Sequence, residues 1–315
     1  IQHGAEFNLG LHKYQGENYS PKGHKYIVSF EWEQVPTWTY RVGGVLLKKQ
    51  IVFDTSIYRI YVRYTLLDAH SETTLRLRPF LAFRSVRQWT HENNVANRSY
   101  DEVENGIRMC LYQGYPDLYM QTSTKAEWKY CPDWYRGLDY PKERERGYNA
   151  SEDLFVPGYF EMPIKKGESI TFSAGVAPIE TEQIDVLRQN EVDNIDHRDS
   201  FYHCLVNAAH QFRVNKDDES YILAGYPWFK PRARDTFISM PGLTLAIGEK
   251  DRFEAYMETA SKAIYNFINK EPMSIGIYEM EQPDTLLWAT WTIQQYSKYT
   301  SRKDCYEKYG KLFKH

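Results

Sequence analysis

The densest group of residues suited to ligand binding lies between residues 224 and 236, with the sequence AGYPWFKPRARDT. Its two prolines exclude a regular helix through most of the stretch, so we expect a loop. The indole of Trp228 could cover the C–H face of a hexose, while Arg234 and Asp235 could donate to and accept from neighbouring hydroxyls. The residues therefore indicate a sugar pocket or, equally well, a surface ion pair beside a tryptophan buried at a domain interface.

A second group stands at 279–288, EMEQPDTLLW, where three carboxylates precede an apolar stretch. Glycosidic bond cleavage requires two carboxyl groups facing each other across the bond, one of them a protonated acid with a raised pKa. Asp284 is a candidate for this acid, and Trp288, four residues later, would lie on the same helical face. An aspartate at a helix start is more often an N-cap, whose backbone hydrogen bonds lower the carboxyl pKa, and the residues alone favour the cap.

Motifs for nucleotides and metals are absent from the sequence, which contains no G-x-x-x-x-G-K-[ST], G-x-G-x-x-G or H-E-x-x-H. His203 and His210 could share one helical face, but no further ligands follow at a suitable spacing. The four cysteines, at 110, 131, 204 and 305, have no short metal or redox spacing and fit a reducing compartment. We therefore expect no metal and no cofactor.

Composition narrows the class of protein. The chain has 315 residues, 42% hydrophobic and 26% charged, with a net charge of −3. A length above about 150 residues favours two domains. No apolar stretch approaches the ~18 residues of a membrane helix, and no basic field would hold a polyanion. We expect a cytoplasmic protein with neither membrane nor nucleic acid as a partner.

The predicted secondary structure that must position these residues changes from strands to helices near residue 180. From 26 to about 178 short runs alternate with period two and no helix separates them, which favours an antiparallel β-sandwich. Two long segments, 84–106 and 125–160, are predicted to be functional or interdomain insertions. The predicted strands are 26–32, 38–42, 45–53, 57–67, 74–83, 107–112, 118–122 and 169–176.

After residue 180 the apolar residues follow a helical period. Phe201, Leu205, Ala208 and Phe212 would form one apolar helical face, and further helical segments are predicted at 236–245, 253–267, 284–299 and 304–314. The resulting division is a sandwich domain at 1–180, a linker helix at 181–195 and a helical domain at 196–315.

Several motifs resemble those of one enzyme family. The segment YPWF at 226–229, followed by RDTFISMPGL at 234–243, resembles the hallmark of glycogen debranching enzymes of the amylo-α-1,6-glucosidase type. The resemblance covers about residues 20 to 300, in the order of the family. Further matching motifs are LRPFLAFR at 77–84, ERERG at 143–147, EDL at 152–154, PGYF at 157–160 and PDTLLW at 283–288.

This resemblance implies a fold and a reaction. It implies an antiparallel, supersandwich-like β-sandwich followed by an (α/α)6 toroid related to glucoamylases. It also implies that Arg234 and Asp235 bind the non-reducing glucose and that Asp284 is the general acid. The implied reaction is hydrolysis of the α-1,6 branch bond with inversion, without a metal. The partners would be α-glucans: glycogen, limit dextrin and maltooligosaccharides.

Two departures from the family pattern qualify this expectation. Arg232-Ala233 stands where the family usually has Trp-Gly, which removes an aromatic surface and adds a cation. A twelve-helix toroid needs about 200 residues, at ~12 per helix with loops of ~5. Only 120 residues run from 196 to 315. We therefore expect an incomplete toroid without the catalytic base, inactive alone.

An incomplete toroid would leave apolar inner helix faces, such as those of 253–267 and 284–299, without partners. We expect a second copy of the chain, or the missing remainder of its own chain, to cover them. Two other interpretations stay open: a non-catalytic α-glucan-binding module and another (α/α)6 glycosidase of the trehalase type.

Overall fold

The structure is a computed structural model that describes residues 1–16, 18–216, 218–226, 229–273 and 275–313. The chain divides into two compact units, residues 1–195 and 196–315. The first is built on β-strands and the second mainly on α-helices. The predicted order of an antiparallel β domain followed by helices is confirmed.

The first unit contains two antiparallel sheets. The smaller sheet has the strand order β2-β1-β11-β12-β7 and the larger has the order β3-β4-β5-β6-β13-β10-β9-β8. The strands are β1 Leu11–Tyr14, β2 Asn18–Lys22, β3 Ile27–Glu31, β4 Thr37–Val42, β5 Val45–Asp54, β6 Arg59–Asp68, β7 Thr73–Leu77, β8 Asp101–Val103, β9 Gly106–Met109, β10 Leu118–Thr122, β11 Glu127–Asp139, β12 Ser151–Ile164 and β13 Ser169–Gly175.

The two sheets face each other across one apolar core, as a sandwich requires. Leu47 and Leu66 from the larger sheet pack in the same buried cluster as Phe155 and Phe160 from the smaller one. Because strand side chains alternate between faces, the next residues along β5 and β6 point away from this core.

The outer face of the larger sheet is covered by the helix α2, Ile184–Asp193. Val52 and Tyr61 pack there against Ile184 and Val192. The segment 181–195, predicted to be a linker helix, thus packs on the first unit.

The prediction that residues 125–160 form an insertion is wrong. It contains β11 and most of β12, the longest strands in the described chain at 13 and 14 residues, joined through the short helix α1, Pro141–Glu145. Prolines and glycines within both strands imitate turn signals. β-bulges between Tyr130 and Asp133 and between Tyr135 and Leu138 accommodate Pro132 and Gly137, so the pairing continues past these residues.

The second unit begins with α3 and a two-stranded hairpin that sequence patterns did not predict. Its apolar core joins the hairpin to the following helices through residues such as Tyr221, Phe237, Phe253 and Ile293. Its elements are α3 Phe201–Gln211, β14 Arg213–Lys216, β15 Glu219–Ile222, α4 Ala233–Leu243, α5 Lys250–Ile268, α6 Thr285–Tyr299 and α7 Arg302–Tyr309.

Exposure of the apolar helix faces differs from the expectation. The α5 face is covered, since Phe253, Met257 and Ala260 are fully buried against the core. The predicted apolar face of α3 is instead open, with Phe201 80% and Leu205 52% exposed. α3 packs through the side that carries Asn207, whose side-chain amide donates to the Asp196 carbonyl at 3.2 Å.

No helix in the described part of the chain combines the length and hydrophobicity that crossing a membrane requires.

Candidate active site

The two predicted chemical segments lie side by side in the second unit. The Tyr278 N–H donates to the Pro231 carbonyl at 3.0 Å, and the Ala233 N–H donates to the Tyr278 carbonyl at 2.9 Å. These bonds form a parallel bridge between Arg232 and Tyr278. The chain leading into α4 is thereby fixed against the loop that leads into α6.

Basic side chains at alternate positions of the first segment reach across this bridge. We call Lys230, Arg232 and Arg234 the basic ladder. Lys230 Nζ lies 3.2 Å from the Tyr278 hydroxyl and 4.7 Å from the centre of its ring. Arg232 Nε lies 3.3 Å from Glu279 Oε1. The alternation of positive residues at 230–234 and the acidic run at 279–284 were the sequence signals for this pairing, which the sequence analysis missed.

The third member of the ladder contacts the predicted general acid. Arg234 Nη2 and Nε lie 2.7 and 3.1 Å from Asp284 Oδ1. The indole Nε1–H of Trp288 donates to Asp284 Oδ2 at 3.1 Å. The structure therefore brings Arg234, Asp284 and Trp288 together, on side chains that keep substantial access to solvent: Arg234 is 46% and Asp284 38% exposed.

Asp284 occupies the N-cap position of α6, but its side chain makes no cap hydrogen bond. Both carboxylate oxygens are instead bound by other side chains. The N-cap interpretation, which the residues alone favoured, therefore does not describe this carboxylate.

The environment of Asp284 sets its protonation. Partial removal from water is the largest single influence and raises its pKa. The hydrogen bonds from Arg234 and Trp288, with the charge of Arg234, act in the opposite direction and together outweigh it, so the pKa of Asp284 lies below its ordinary value. In this state the group is an ionised carboxylate at neutral pH, whereas a general acid must carry a proton.

Asp235 lies next to Arg234 in the first turn of α4 and is exposed. Its carboxylate has no hydrogen-bond or ion-pair partner within the described ranges, so it is open to a ligand. Trp228, the other predicted sugar-binding residue, lies outside the described residues.

The replacement of Trp-Gly by Arg232-Ala233 has a local explanation. Ala233 is fully buried in the core of the second unit, where a small side chain is tolerated. The Arg232 guanidinium pairs with Glu279 and lies 4.8 Å from the Phe229 ring centre. The added cation is thus already paired.

A cleft of about 900 Å³ lies beside these residues, between the β14–β15 hairpin and residues 275–281. Glu279 and Glu281 line it, but Arg234, Asp235, Asp284 and Trp288 do not. Glu279 adopts a left-handed backbone conformation, with φ of +62°. Such strain in a non-glycine residue is often found at functional sites.

The two histidines of α3 have separate partners. His203 pairs with Asp199, whereas His210 lies 2.7 Å from Asp196 and 2.9 Å from Glu249. Among the residues that the structure describes, no three His, Cys, Asp or Glu side chains are grouped as metal ligands.

The chain thus combines a β-sandwich unit with a mainly helical unit, in which an arginine and a tryptophan contact one aspartate. Known protein families can be compared with this combination of fold and site. Residues 1–171 match the family described as "Glycogen debranching enzyme N terminal", and residues 205–314 match "Amylo-alpha-1,6-glucosidase". The first match alone covers more than half of the 315 residues. The chain belongs to the glycogen debranching enzyme family.

Individual relatives are more distant. No curated protein matches the chain. Among solved structures, a bacterial glucoamylase complexed with acarbose aligns with 12% sequence identity and a TM-score of 0.41. The alignment covers 87% of this chain and 50% of the glucoamylase, so the chain spans half the length of that protein.

Proposed function

We propose that this chain carries the glucose-binding and proton-donating groups of a debranching glucosidase that hydrolyses α-1,6 bonds in glycogen or limit dextrin. Family membership supports the substrate class, and the contact between Arg234 and Asp284 carries the assignment of the site. Arg234 and Asp235 bind the hydroxyls of the terminal glucose, and Trp228 and Trp288 offer ring surfaces to it.

In this mechanism Asp284 protonates the glycosidic oxygen as the bond from that oxygen to C1 breaks. A second carboxylate removes a proton from a water molecule, which attacks C1 from the opposite face and inverts its configuration. The products are free glucose and an α-glucan chain from which that branch has been removed. The base in this mechanism is not assigned to a residue of this chain.

The ion pair must open before Asp284 can act as an acid. When Arg234 turns to the glucose hydroxyls, Asp284 loses two hydrogen bonds and a neighbouring positive charge. The sugar also displaces water, so the influence that raises its pKa grows. Binding of glucose thereby converts a carboxylate into a proton donor, and the acid is formed only when substrate is present.

Binding to the chain can be measured by isothermal titration calorimetry with isomaltotriose and maltotriose. We expect Arg234→Gln and Asp235→Asn each to weaken binding at least about tenfold, a loss near 1.4 kcal/mol. Arg232→Gln is the matched control, because its guanidinium pairs with Glu279. Equal affinities for all three variants and the unmodified chain would reject this site.

Cleavage is tested separately by glucose release from a limit dextrin. Release that Asp284→Asn abolishes supports the hydrolase. The second candidate is an α-glucan-binding module without catalysis, which the open setting of Arg234 and Asp284 and the lowered pKa of Asp284 favour. Binding that depends on Arg234, without glucose release, would exclude catalysis by the chain alone and is the result expected both for this module and for a chain without the catalytic base.

We also propose the division of the chain into a sandwich domain at 1–180, a linker helix at 181–195 and the first helices of a glucosidase domain at 196–315. The change from strands to helices near residue 180 supports it.

A further inference from the structure

The first unit contains a cavity of about 480 Å³ between its two sheets, far in sequence from the glucan site. Side chains of β4, β5 and β6 line one wall, and residues 73–80 of the smaller sheet and its following loop line another. Small-molecule sites in proteins commonly have volumes of about 300–1,000 Å³. The cavity is therefore large enough for a monosaccharide with one substituent.

The wall formed by the larger sheet carries polar groups without protein partners. Lys49 lies between Trp38 and Tyr64 in the strand register. Its Nζ lies 5.7 Å from the Trp38 ring centre but has no hydrogen bond or ion pair with any described residue. Burial lowers the pKa of Lys49, as expected for an ammonium held away from water without an anion.

Two hydroxyls accompany this ammonium. Tyr40 is 6% exposed, and the hydroxyls of Tyr40 and Tyr64 find no hydrogen-bond partner within the described part of the chain. None of these three polar atoms is among the fully enclosed unpaired atoms of the described residues, so each can be reached from the cavity. An ammonium and two phenol hydroxyls left open on one cavity wall thus indicate a ligand with an anionic group and several hydroxyls.

The opposite side supplies a cluster of aromatic rings and a further cation. Phe80 lies between His12 and Tyr135, at ring-centre distances of 4.7 and 4.5 Å. Arg78 donates to the Tyr135 hydroxyl at 2.5 Å and has no carboxylate partner among the described residues. Because Phe80 already packs between these two rings, it offers a ligand an apolar ring edge rather than an open face.

Glu6 also lines the cavity, but its carboxylate does not neutralise the charge of Lys49 or Arg78. Its Oε1 lies 2.7 Å from Nη1 of Arg76, which also lies in the lining and pairs with Glu161. Lys49 and Arg78 therefore remain available to an anion.

We propose that this cavity binds a small anionic sugar, a hexose that carries a phosphate or a carboxylate group. Lys49 binds the anionic group, Tyr40 and Tyr64 bind hydroxyls, and Phe80 contacts the ring. This site is independent of the proposed glucan hydrolysis, since none of its residues belongs to the second unit.

Calorimetric titration of the chain with glucose 6-phosphate, glucuronate, glucose and inorganic phosphate tests the proposal. We expect at least one of the two anionic sugars to bind more tightly than both glucose and phosphate. Comparing the two anionic sugars shows whether the site prefers phosphate or carboxylate. Lys49→Met should weaken that binding by about tenfold or more, because a charge-assisted contact is lost.

Lys48→Met is the matched control, since neighbouring residues of a strand point to opposite faces and Lys48 does not line the cavity. Thermal unfolding should show that Lys49→Met is folded, because it removes a charge that has no anionic partner. If it does not fold, Tyr64→Phe replaces it, with the same expected loss of affinity. The proposal is overturned if neither anionic sugar binds, if inorganic phosphate binds as tightly as both, or if the cavity variant and Lys48→Met bind equally.

Discussion

Arg234 donates two hydrogen bonds to a single oxygen of Asp284, at 2.7 and 3.1 Å. The residue expected to bind the sugar thus holds the residue expected to give the proton. Although desolvation raises the pKa of Asp284, the hydrogen bonds and charge of Arg234, with the hydrogen bond from Trp288, keep that pKa below its ordinary value.

Replacing Arg234 should raise the pKa of Asp284. In Arg234→Gln the Asp284 carboxylate loses a neighbouring positive charge and its charged hydrogen-bond donors. Desolvation, already the largest influence on the pKa of Asp284, then raises that pKa with less opposition. A carbon-13 NMR titration of the aspartate carboxyl groups measures this pKa directly. Arg232→Gln should leave it unchanged, and an equal rise in both variants would show that general surface charge is responsible.

The buried carboxylate of Glu152 should make Arg84 important for stability. Glu152 is fully buried and bound by both Arg84 and the Tyr140 hydroxyl, the latter at 2.7 Å. Arg84→Met leaves this charge without its cation and should lower the free energy of unfolding by about 3–5 kcal/mol. The control is Arg136→Met, whose solvent-exposed pair with Glu92 should contribute far less to stability. Urea denaturation compares the two, and similar losses would contradict the prediction.

The pairing of β11 and β12 should depend on Gly158. A Cβ added there would lie 2.1 Å from the Lys129 carbonyl oxygen on the neighbouring strand. Gly158→Ala should therefore destabilise the first unit by about 3 kcal/mol, since the strands must move apart. Gly147→Ala also has positive φ, of +80°, but meets no atom within 4 Å, so only backbone strain of about 1–2 kcal/mol is expected. Equal melting temperatures for the two variants would exclude the steric explanation.

We expect the ionised Glu254 to stabilise the helical unit and this stabilisation to be lost in acid. Its carboxylate accepts from the Tyr296 hydroxyl at 2.5 Å and pairs with Lys308. Desolvation is the largest influence and raises its pKa, but these two hydrogen bonds and the positive charges nearby outweigh it, so the folded pKa lies below the ordinary value of 4.5.

A lowered folded pKa means that the stabilisation is present above pH 4.5 and is lost as the pH falls through the folded value. Glu254→Gln should lower the free energy of unfolding at pH 7 by about 1 kcal/mol and lose less on acidification. The exposed Glu258→Gln on the same helix should follow the unmodified protein. Parallel acid profiles for unmodified protein and Glu254→Gln would refute this role.

Sequence patterns predicted elements well where one apolar period dominated. The predicted helix 253–267 lies within α5, Lys250–Ile268, because its apolar residues all face one core. The same reasoning failed for β11 and β12, whose prolines and glycines lie at bulges and close strand contacts rather than at turns. It also failed for α3, where Asn207 is buried by its hydrogen bonds while Phe201 is exposed.

At the site, residue types and spacing offered Arg234, Asp284 and Trp288 only as candidates, and the family resemblance favoured them; the structure brings the three into contact. They could not show that Arg234 neutralises Asp284, because that contact joins positions 50 residues apart. The spacing of Trp288 four residues after Asp284 did predict their neighbourhood, since both positions share one side of a helix start.

The two main-chain hydrogen bonds that hold Tyr278 against Pro231 and Ala233 also fix the register of the basic ladder against the segment that carries Glu279. Side chains in extended chain alternate in direction, so one residue inserted or deleted in the extended stretch before α4 would turn the Arg232 guanidinium away from Glu279 and displace the start of α4, which carries Arg234. Substitutions can be absorbed here, as Arg232-Ala233 illustrates, but changes of length cannot. Variation in this segment should therefore be confined to residue type, and natural or engineered diversity in the site is expected to keep its length constant.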